Sequence, residues 1–269
     1  VTERLDAALA ERGLARSRTA AARLIADGLV SVNGATVIKA STRVEVDARL
    51  EVTASDHYVS RAAHKLLAAL DSWPVVVSDR LALDVGASTG GFTQVLLERG
   101  AREVIALDVG HGQLVPSVRS DRRVRVVEGF NARYMTAASL AEAAVTDEVP
   151  TLVVGDLSFI SLTTVLPALT ATVGSDADFV LLVKPQFEVG RAGVREGIVH
   201  NPALRSEAVM DVLWAAWDLA LPTAGVISSP VLGTSGNSEY LIYLSARAGV
   251  NPTEWMQRVE ELSSAPRAH

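Results

Sequence analysis

The sequence predicts an α/β fold, a mostly parallel sheet with helices on both faces, preceded by a small α+β unit. Three observations predict it. From Leu81 onward, the apolar segments LALDV, VIALDV, VRVV, TLVVGDL and FVLLVK alternate with longer stretches of helical period. That is the pattern of parallel strands buried on both faces. Two later segments, TAGVISS and EYLIYLSA, bring the strands to seven, and the second alternates as an antiparallel member would. The first fifty residues read differently, as two short helices and a hairpin.

Bulk properties narrow the class. The chain has 269 residues, 49% of them hydrophobic, enough for a large core and unlike a disordered chain. It has no cysteine, which excludes disulfides and thiolate metal sites. No apolar run approaches the ~18 residues of a membrane span, and VTERLDAALAERG lacks the apolar core of a secretion signal. A soluble cytoplasmic protein is expected. The formal net charge is −6, but residues 1–50 hold eight basic and six acidic residues. The acidity therefore lies in the larger part.

In RLDAALAERG, Leu5 and Leu9 share a helical face, and Gly13 can end that helix. Ser17 caps a second helix, RTAAARLIADG, closed by Gly28. LVSVNGATVI alternates about Asn33–Gly34, a two-residue hairpin signal. Arg12, Arg16 and Arg18 bracket the turn between the helices, where clustered guanidinium groups suit phosphate contacts. Solvated helix faces are the plainer alternative. ASDHYVS has no period and reads as a linker, giving units of 1–54 and 61–269 joined by 55–60.

LALDVGASTGGFTQVLLERG is a strand, a glycine-rich turn and an amphipathic helix. Glycines allow close backbone approach to a ligand, and the helix N-terminus favours anionic or polar groups. Asp108 ends the next strand, 22 residues after Gly86, a distance that suits hydrogen bonding to ribose. A nucleotide is expected, either a dinucleotide or S-adenosyl-L-methionine, although the spacing is not G-x-G-x-x-G.

Strand ends in such a sheet converge on one ligand-binding edge. Asp156 ends TLVVGD, Lys184 ends FVLLVK, and Glu239 opens EYLIYLSA. Pro185 keeps Lys184 extended. Lys65 lies on a helix whose Leu66, Leu67 and Leu70 turn inward, which lets it reach the same edge. A hydroxyl is a poor nucleophile until deprotonated, and an amine takes a proton only when neutral. Burial and a second ammonium favour the neutral amine, whereas carboxylates oppose it. Lys184 is expected to be the general base. Lys65 would supply the neighbouring charge, with Asp156 and Glu239 orienting both.

These segments carry family resemblances. GLARSRTAAARLIADGLVSVNG resembles the small RNA-binding domain named after ribosomal protein S-four. The likeness implies RNA contacts from Arg4, Arg12, Arg16, Ser17, Arg18 and Lys39. DVGASTGGF resembles the first motif of S-adenosylmethionine-dependent methyltransferases, which have a Rossmann-like class I fold. It implies cofactor contacts from Asp84, Gly86, Ala87, Ser88, Thr89, Gly90, Gly91 and Phe92. Asp108 would hold the ribose and Asn131, after VRVVEGF, the adenine. Phe92 also reads as core.

Lys65, Asp156, Lys184 and Glu239 resemble, in order, the catalytic tetrad of FtsJ-like ribose 2′-O-methyltransferases. With SRAAHKL, DLSFISL, LVKPQFE and GNSEY, the chain resembles the TlyA (hemolysin A) family along nearly its whole length. The resemblance implies 2′-O-methylation of cytidine in ribosomal RNA of one or both subunits. It also implies an influence on sensitivity to capreomycin-type antibiotics. It calls for no metal and no membrane, and a monomer is expected. Two alternatives stand beside it: a catalytically silent RNA-binding assembly factor, and a membrane-lysing hemolysin. The glycine-rich loop EVGRAGVREGIVHNP either closes over RNA through Arg191 and Arg195 or is a plain mobile loop.

Overall fold

The computed structural model describes residues 2–15, 17–26, 28–52, 57–190, 193–233 and 236–265. Arg16 and Arg191 lie outside the described residues, as do 55 and 56 of the expected linker.

The N-terminal unit runs β1 (Thr2–Arg4), α1 (Leu5–Glu11), α2 (Arg18–Ala26), β2 (Val30–Val32), β3 (Ala35–Thr36), β4 (Arg43–Glu45) and β5 (Leu50–Val52). Both expected helices are present. Leu5, Ala8 and Leu9 of α1 bury against Ala21 and Ile25 of α2 and against Val30 and Val44. Ser17 Oγ accepts the Ala20 amide at 3.1 Å, the cap the sequence indicated. The hairpin turns at Asn33 and Gly34, with φ of 51° and 84°. Positive φ at both central residues is what a type I′ turn requires. The sequence did not indicate β1, β4 or β5; three-residue strands are too short to display a period.

The larger unit contains α3 (Ala62–Ser72), β6 (Leu81–Val85), α4 (Gly91–Glu98), β7 (Glu103–Leu107), α5 (Pro116–Arg119), β8 (Val124–Val127), α6 (Ala137–Ala144) and β9 (Leu152–Gly155). It continues with α7 (Leu162–Val173), β10 (Asp178–Val183), α8 (Pro185–Glu188), α9 (Pro202–Trp217), β11 (Thr223–Ser228), β12 (Tyr240–Leu244) and α10 (Met256–Ser264). Seven strands form one sheet in the order β11-β12-β10-β9-β6-β7-β8. β12 is antiparallel to both neighbours, as its alternation suggested, and β6 is parallel to β7 and to β9.

Helices cover both faces. Leu81, Leu83 and Val85 of β6 pack with Leu162, Leu166 and Val209 on one side. Ala82 of the same strand packs with Ala63 and Leu66 of α3 and Phe92 and Val95 of α4 on the other. The topology leaves β6 by two routes, toward β7 on one side and β9 on the other. That switch point, at the carboxyl ends of β6 and β9, is where open α/β sheets bind ligands. No helix among the described residues is long and apolar enough to cross a membrane.

The last part of the stretch read as a linker is laced to α4. His57 Nε2 lies 2.9 Å from Glu98 Oε1, and the Val59 amide donates to Gln94 Oε1 at 2.8 Å. The ring of Tyr58 meets that of His64 edge-on at 5.6 Å, a packing contact for a histidine beside a site lysine.

Candidate active site

Four sequence-distant polar residues meet at the switch point. Lys65 is on the first turn of α3, Asp156 directly after β9, Lys184 directly after β10, and Glu239 directly before β12. Lys65 Nζ donates to Glu239 Oε2 at 2.7 Å and to Asp156 Oδ2 at 3.2 Å. Lys184 Nζ lies 2.6 Å from Asp156 Oδ1 and donates to Ser158 Oγ at 2.7 Å. The result is one continuous run: Glu239, Lys65, Asp156, Lys184, Ser158. Lys65, Lys184 and Glu239 are all buried. Buried charges persist only when paired and hydrogen-bonded, and this run alternates in sign.

The two lysines are not equivalent. Burial alone would push the Lys65 ammonium down, but the Asp156 and Glu239 carboxylates outweigh it and hold the group above its ordinary value. Burial likewise pushes the Asp156 carboxyl up, and Lys65 and Lys184 together bring it below the usual range. Lys65 is thus bracketed by two carboxylates. Lys184 shares one of them and takes a neutral hydroxyl as its second partner. Lys184 has φ −113° and ψ 98°, the extended backbone expected before proline, and Pro185 then opens the short helix α8.

A cavity of about 330 Å³ joins this run to the glycine-rich turn. Gly86, Ala87, Ser88, Thr89, Gly91 and Phe92 line it beside Lys65, Asp156, Lys184 and Glu239. Gly86 has φ +85°, and a Cβ there would stand 3.0 Å from the Asp156 carbonyl oxygen. The turn therefore brings its backbone against the next strand end, which only glycine allows. At Gly91 a Cβ would lie 2.3 Å from Ser60 Oγ and 3.1 Å from the Ala63 amide, so α4 and α3 meet there at backbone distance. Phe92 is 2% exposed and belongs mainly to the core.

Three residues expected at a cofactor lie elsewhere or are already engaged. Asp84 is fully buried behind the turn, where its Oδ2 accepts the Thr93 hydroxyl at 2.6 Å. Strand alternation puts Leu83 and Val85 on one face and Asp84 on the face covered by α4. Burial, with help from Asp156, pushes its carboxyl up to about 7 against the opposing Thr93 hydrogen bond. Asp108 accepts the Ser88 amide at 2.8 Å and the Gly110 amide at 2.7 Å, binding the turn to the following loop. Each oxygen keeps a lone pair for a hydroxyl donor. Asn131 Oδ1 accepts the Arg133 amide at 3.0 Å and so caps the turn at Ala132–Tyr134.

Sequence reading missed three neighbours of Lys184. Ser158 is one; DLSFISL contains it, but nothing in its spacing marks it as a partner of a lysine 26 residues away. The second is Phe159, which is 90% exposed and has φ +64°. A left-handed backbone under a bulky side chain is an outlier. Its ring lies 5.3 Å from that of Phe187, over which Lys184 Nζ sits at 6.0 Å. The third is Glu188, four residues after Lys184. Its Oε1 accepts the Leu162 amide at 2.9 Å and its Oε2 the Ser161 hydroxyl at 2.5 Å.

In the N-terminal unit Arg4, Arg12 and Arg18 are paired within the fold. Arg4 grips Asp6 through two bonds of 2.9 Å, and Arg18 Nη2 reaches Asp6 Oδ2 at 3.3 Å. The Arg4 guanidinium holds the Asp6 carboxyl at about 2. Arg12 donates to the Ala48 carbonyl at 2.7 Å and to Glu3 at 2.9 Å, an architectural use that clustering alone did not reveal. The side chains of Arg4 and Arg18 stay 43% and 61% exposed, and Lys39 is also exposed, so these remain available to a polyanion. Arg195 and Ile198 exchange two backbone hydrogen bonds of 2.9 Å within the loop read as closing or mobile.

The sheet order, the glycine-rich turn at its switch point and the buried polar run together define the methyltransferase class of α/β fold. Residues 58–246 match the FtsJ-like methyltransferase family, and residues 3–50 match the S4 domain. A curated relative in Mycobacterium tuberculosis, the 16S/23S rRNA (cytidine-2′-O)-methyltransferase TlyA, is 50% identical over 90% of this chain and 89% of its own. Hemolysin A of Brachyspira hyodysenteriae is 37% identical over 89% of this chain and 98% of its own. A solved structure described as a hemolysin, from Streptococcus thermophilus, is 35% identical and superposes with a TM-score of 0.75, covering 98% of this chain and 94% of that one. The chain belongs to the TlyA family of FtsJ-like methyltransferases that carry an S4 domain.

Proposed function

We propose that the protein transfers a methyl group from S-adenosylmethionine to the 2′-hydroxyl of a cytidine in ribosomal RNA. The observation that carries the reading is the buried run from Glu239 to Ser158, set beside the glycine-rich turn. Cytidine and ribosomal RNA come from the name of the 50%-identical relative. The S4 domain, with Arg4, Arg18 and Lys39 outward, supports an RNA partner.

The residues present fit the cofactor. The turn from Gly86 to Thr89 lines a cavity of ligand size, and the close backbone approaches at Gly86 and Gly91 fix that turn against β9 and α3. Gly86 to Thr89 would hold the amino-acid end, Asp108 the ribose and the neighbourhood of Asn131 the adenine. When bound, S-adenosylmethionine supplies a methyl group already activated by its sulfonium. The chain's own task is then alignment and proton removal.

Lys184 suits proton removal. A neutral amine has two hydrogens and one lone pair. In the amine form Ser158 accepts one hydrogen and Asp156 Oδ1 stands 2.6 Å away, so a lone pair can face the cavity that Lys184 lines. Nζ takes the 2′-hydroxyl proton as the oxygen gains the methyl group, and Asp156 pairs with the ammonium that results. Lys65 remains charged between its two carboxylates and holds Asp156 in place. Phe159, exposed next to the cavity-lining Ser158 and beside Phe187, offers a face for the target base. Such an enzyme works in the cytoplasm, with the ribosome.

The test is methyl transfer from labelled S-adenosylmethionine to unmodified ribosomal subunits, followed by digestion to nucleosides. Label in 2′-O-methylcytidine is the expected result. Label in a base, or none on RNA from protein that binds the cofactor, would overturn the reading in favour of an assembly factor or another substrate.

A further inference from the structure

Two segments build the mouth of the site around Lys184. One runs from Asp156 to Ser161 and carries Ser158 and Phe159. The other is the turn Lys184 to Glu188, with Phe187 between. The second is stiff: the Phe187 amide donates to the Lys184 carbonyl at 2.8 Å and the Val189 amide to the Pro185 carbonyl at 2.9 Å. The first begins at a strand end, passes through the left-handed Phe159 and ends where Ser161 caps α7 by accepting the Thr163 amide at 3.1 Å.

Glu188 joins the far ends of these segments. Its carboxylate accepts from both the hydroxyl of Ser161 and the amide of Leu162, two donors at the N-terminus of the twelve-residue helix α7. An acceptor-only group matches two donors, and its charge suits that end of the helix. Sealing the contact would not need a charge, since an apolar side chain could pack there. A carboxylate bonded at both oxygens instead fixes one register between the segments. Besides it, the segments meet through the Phe159–Phe187 rings and the Lys184 contacts themselves. Without the carboxylate, the geometry of Lys184 would rest more on the groups that change partners during the reaction.

We propose that Glu188 is a positioning residue for methyl transfer. Its carboxylate clamps the Asp156–Ser161 segment to the Lys184–Glu188 turn and so fixes Ser158 against Lys184 Nζ. The proposal deepens the reading of Lys184 as the base and rests on it. Glu188 touches neither substrate nor cofactor in this role; it acts through Ser158.

The experiment uses the full chain with Glu188→Ala and Glu188→Gln, each alone and combined with Ser158→Ala, below the melting temperature of every variant. Misplacement of a reacting group by about 1 Å costs up to ~100-fold in rate. Glu188→Ala is therefore expected to lower kcat roughly 10- to 100-fold, with the KM for S-adenosylmethionine unchanged within about twofold. Glu188→Gln, which keeps one acceptor, is expected to fall between Glu188→Ala and wild type. In the Ser158→Ala background the loss is expected to shrink several-fold, because the contact it acts through is gone.

A second readout needs no turnover: the 13Cε resonance of Lys184, assigned through Lys184→Arg, is expected to move in Glu188→Ala while that of Lys65 stays. A kcat within twofold of wild type would overturn the proposal, as would equal losses in both backgrounds or an unmoved Lys184 resonance. If wild type transfers no methyl group yet the resonance moves, the structural clamp on Lys184 stands while the proposed function, and with it the role in methyl transfer, falls.

Discussion

Replacing Asp84 with asparagine isolates the effect of one buried carboxyl. Asp84 is fully buried, and its carboxyl titrates at about 7 in the fold against an ordinary value of 3.8. The unfolded chain therefore gives up this proton near pH 4, while the folded chain keeps it until about pH 7. Between those values the folded state binds more protons, so stability falls as pH rises, and above about 7 the loss is complete. A shift of roughly three units at about 1.4 kcal/mol each gives a loss on the order of 4 kcal/mol. Asparagine has nearly the same shape, does not ionise and still offers Thr93 an oxygen. Urea unfolding of both proteins at pH 4.5, 6, 7 and 8 measures the effect, and other titrating groups cancel in the difference. The variant is expected to gain on wild type by several kcal/mol between pH 4.5 and 8. Parallel stability curves across that range would refute the reasoning and place an ionised, compensated Asp84 in the fold.

Three further outcomes follow from named contacts. Gly91→Ala puts a methyl group 2.3 Å from Ser60 Oγ and 3.1 Å from a backbone amide; thermal melting is expected to report a loss of about 1–3 kcal/mol, with weaker S-adenosylmethionine binding by calorimetry. Phe159→Gly removes an exposed ring from a left-handed position; stability is expected to rise by roughly 1 kcal/mol. In the same variant kcat/KM for RNA is expected to fall by the loss of about 1–3 kcal/mol of base stacking, a stability gain paired with a functional loss in steady-state assays. Lys39→Ala, at an exposed position, is expected to leave melting unchanged and to flatten the slope of log affinity for RNA against log salt by about 0.7 to 0.9.

Much of this architecture is legible in the sequence, for identifiable reasons. Strands buried within a layered fold write themselves as apolar runs, and all seven segments read this way are strands of one sheet. Asn33–Gly34 announces its turn because few other pairs accept positive φ twice. Asp156, Lys184 and Glu239 are visible because each ends or opens an apolar segment at the edge where strand ends converge, and Lys65 because it sits on an amphipathic helix just ahead of β6. What escaped has a common cause: it depends on pairs distant in the chain. Arg12 looks like a phosphate ligand until it is found on the Ala48 carbonyl, 36 residues away. Asp84 looks like part of the cofactor turn until the pleat puts it behind the turn against Thr93. Ser158 and Glu188 lie inside recognisable segments, yet only the fold brings them to Lys184 and to the start of α7. The strain at Phe159 leaves no mark in composition or period.

The role of Lys184 is tested most directly by single-turnover methyl transfer to unmodified ribosomal subunits, comparing wild type, Lys184→Ala and Lys65→Ala, with S-adenosylmethionine binding measured on the same samples. The expected result is that Lys184→Ala binds the cofactor normally and transfers at least ~100-fold more slowly, the scale of a lost general base. Lys65→Ala is expected to lose stability as well, because Glu239 and Asp156 are left buried beside a missing cation. Near-normal transfer by a folded Lys184→Ala protein would contradict the assignment and move the search for the base elsewhere in the buried run.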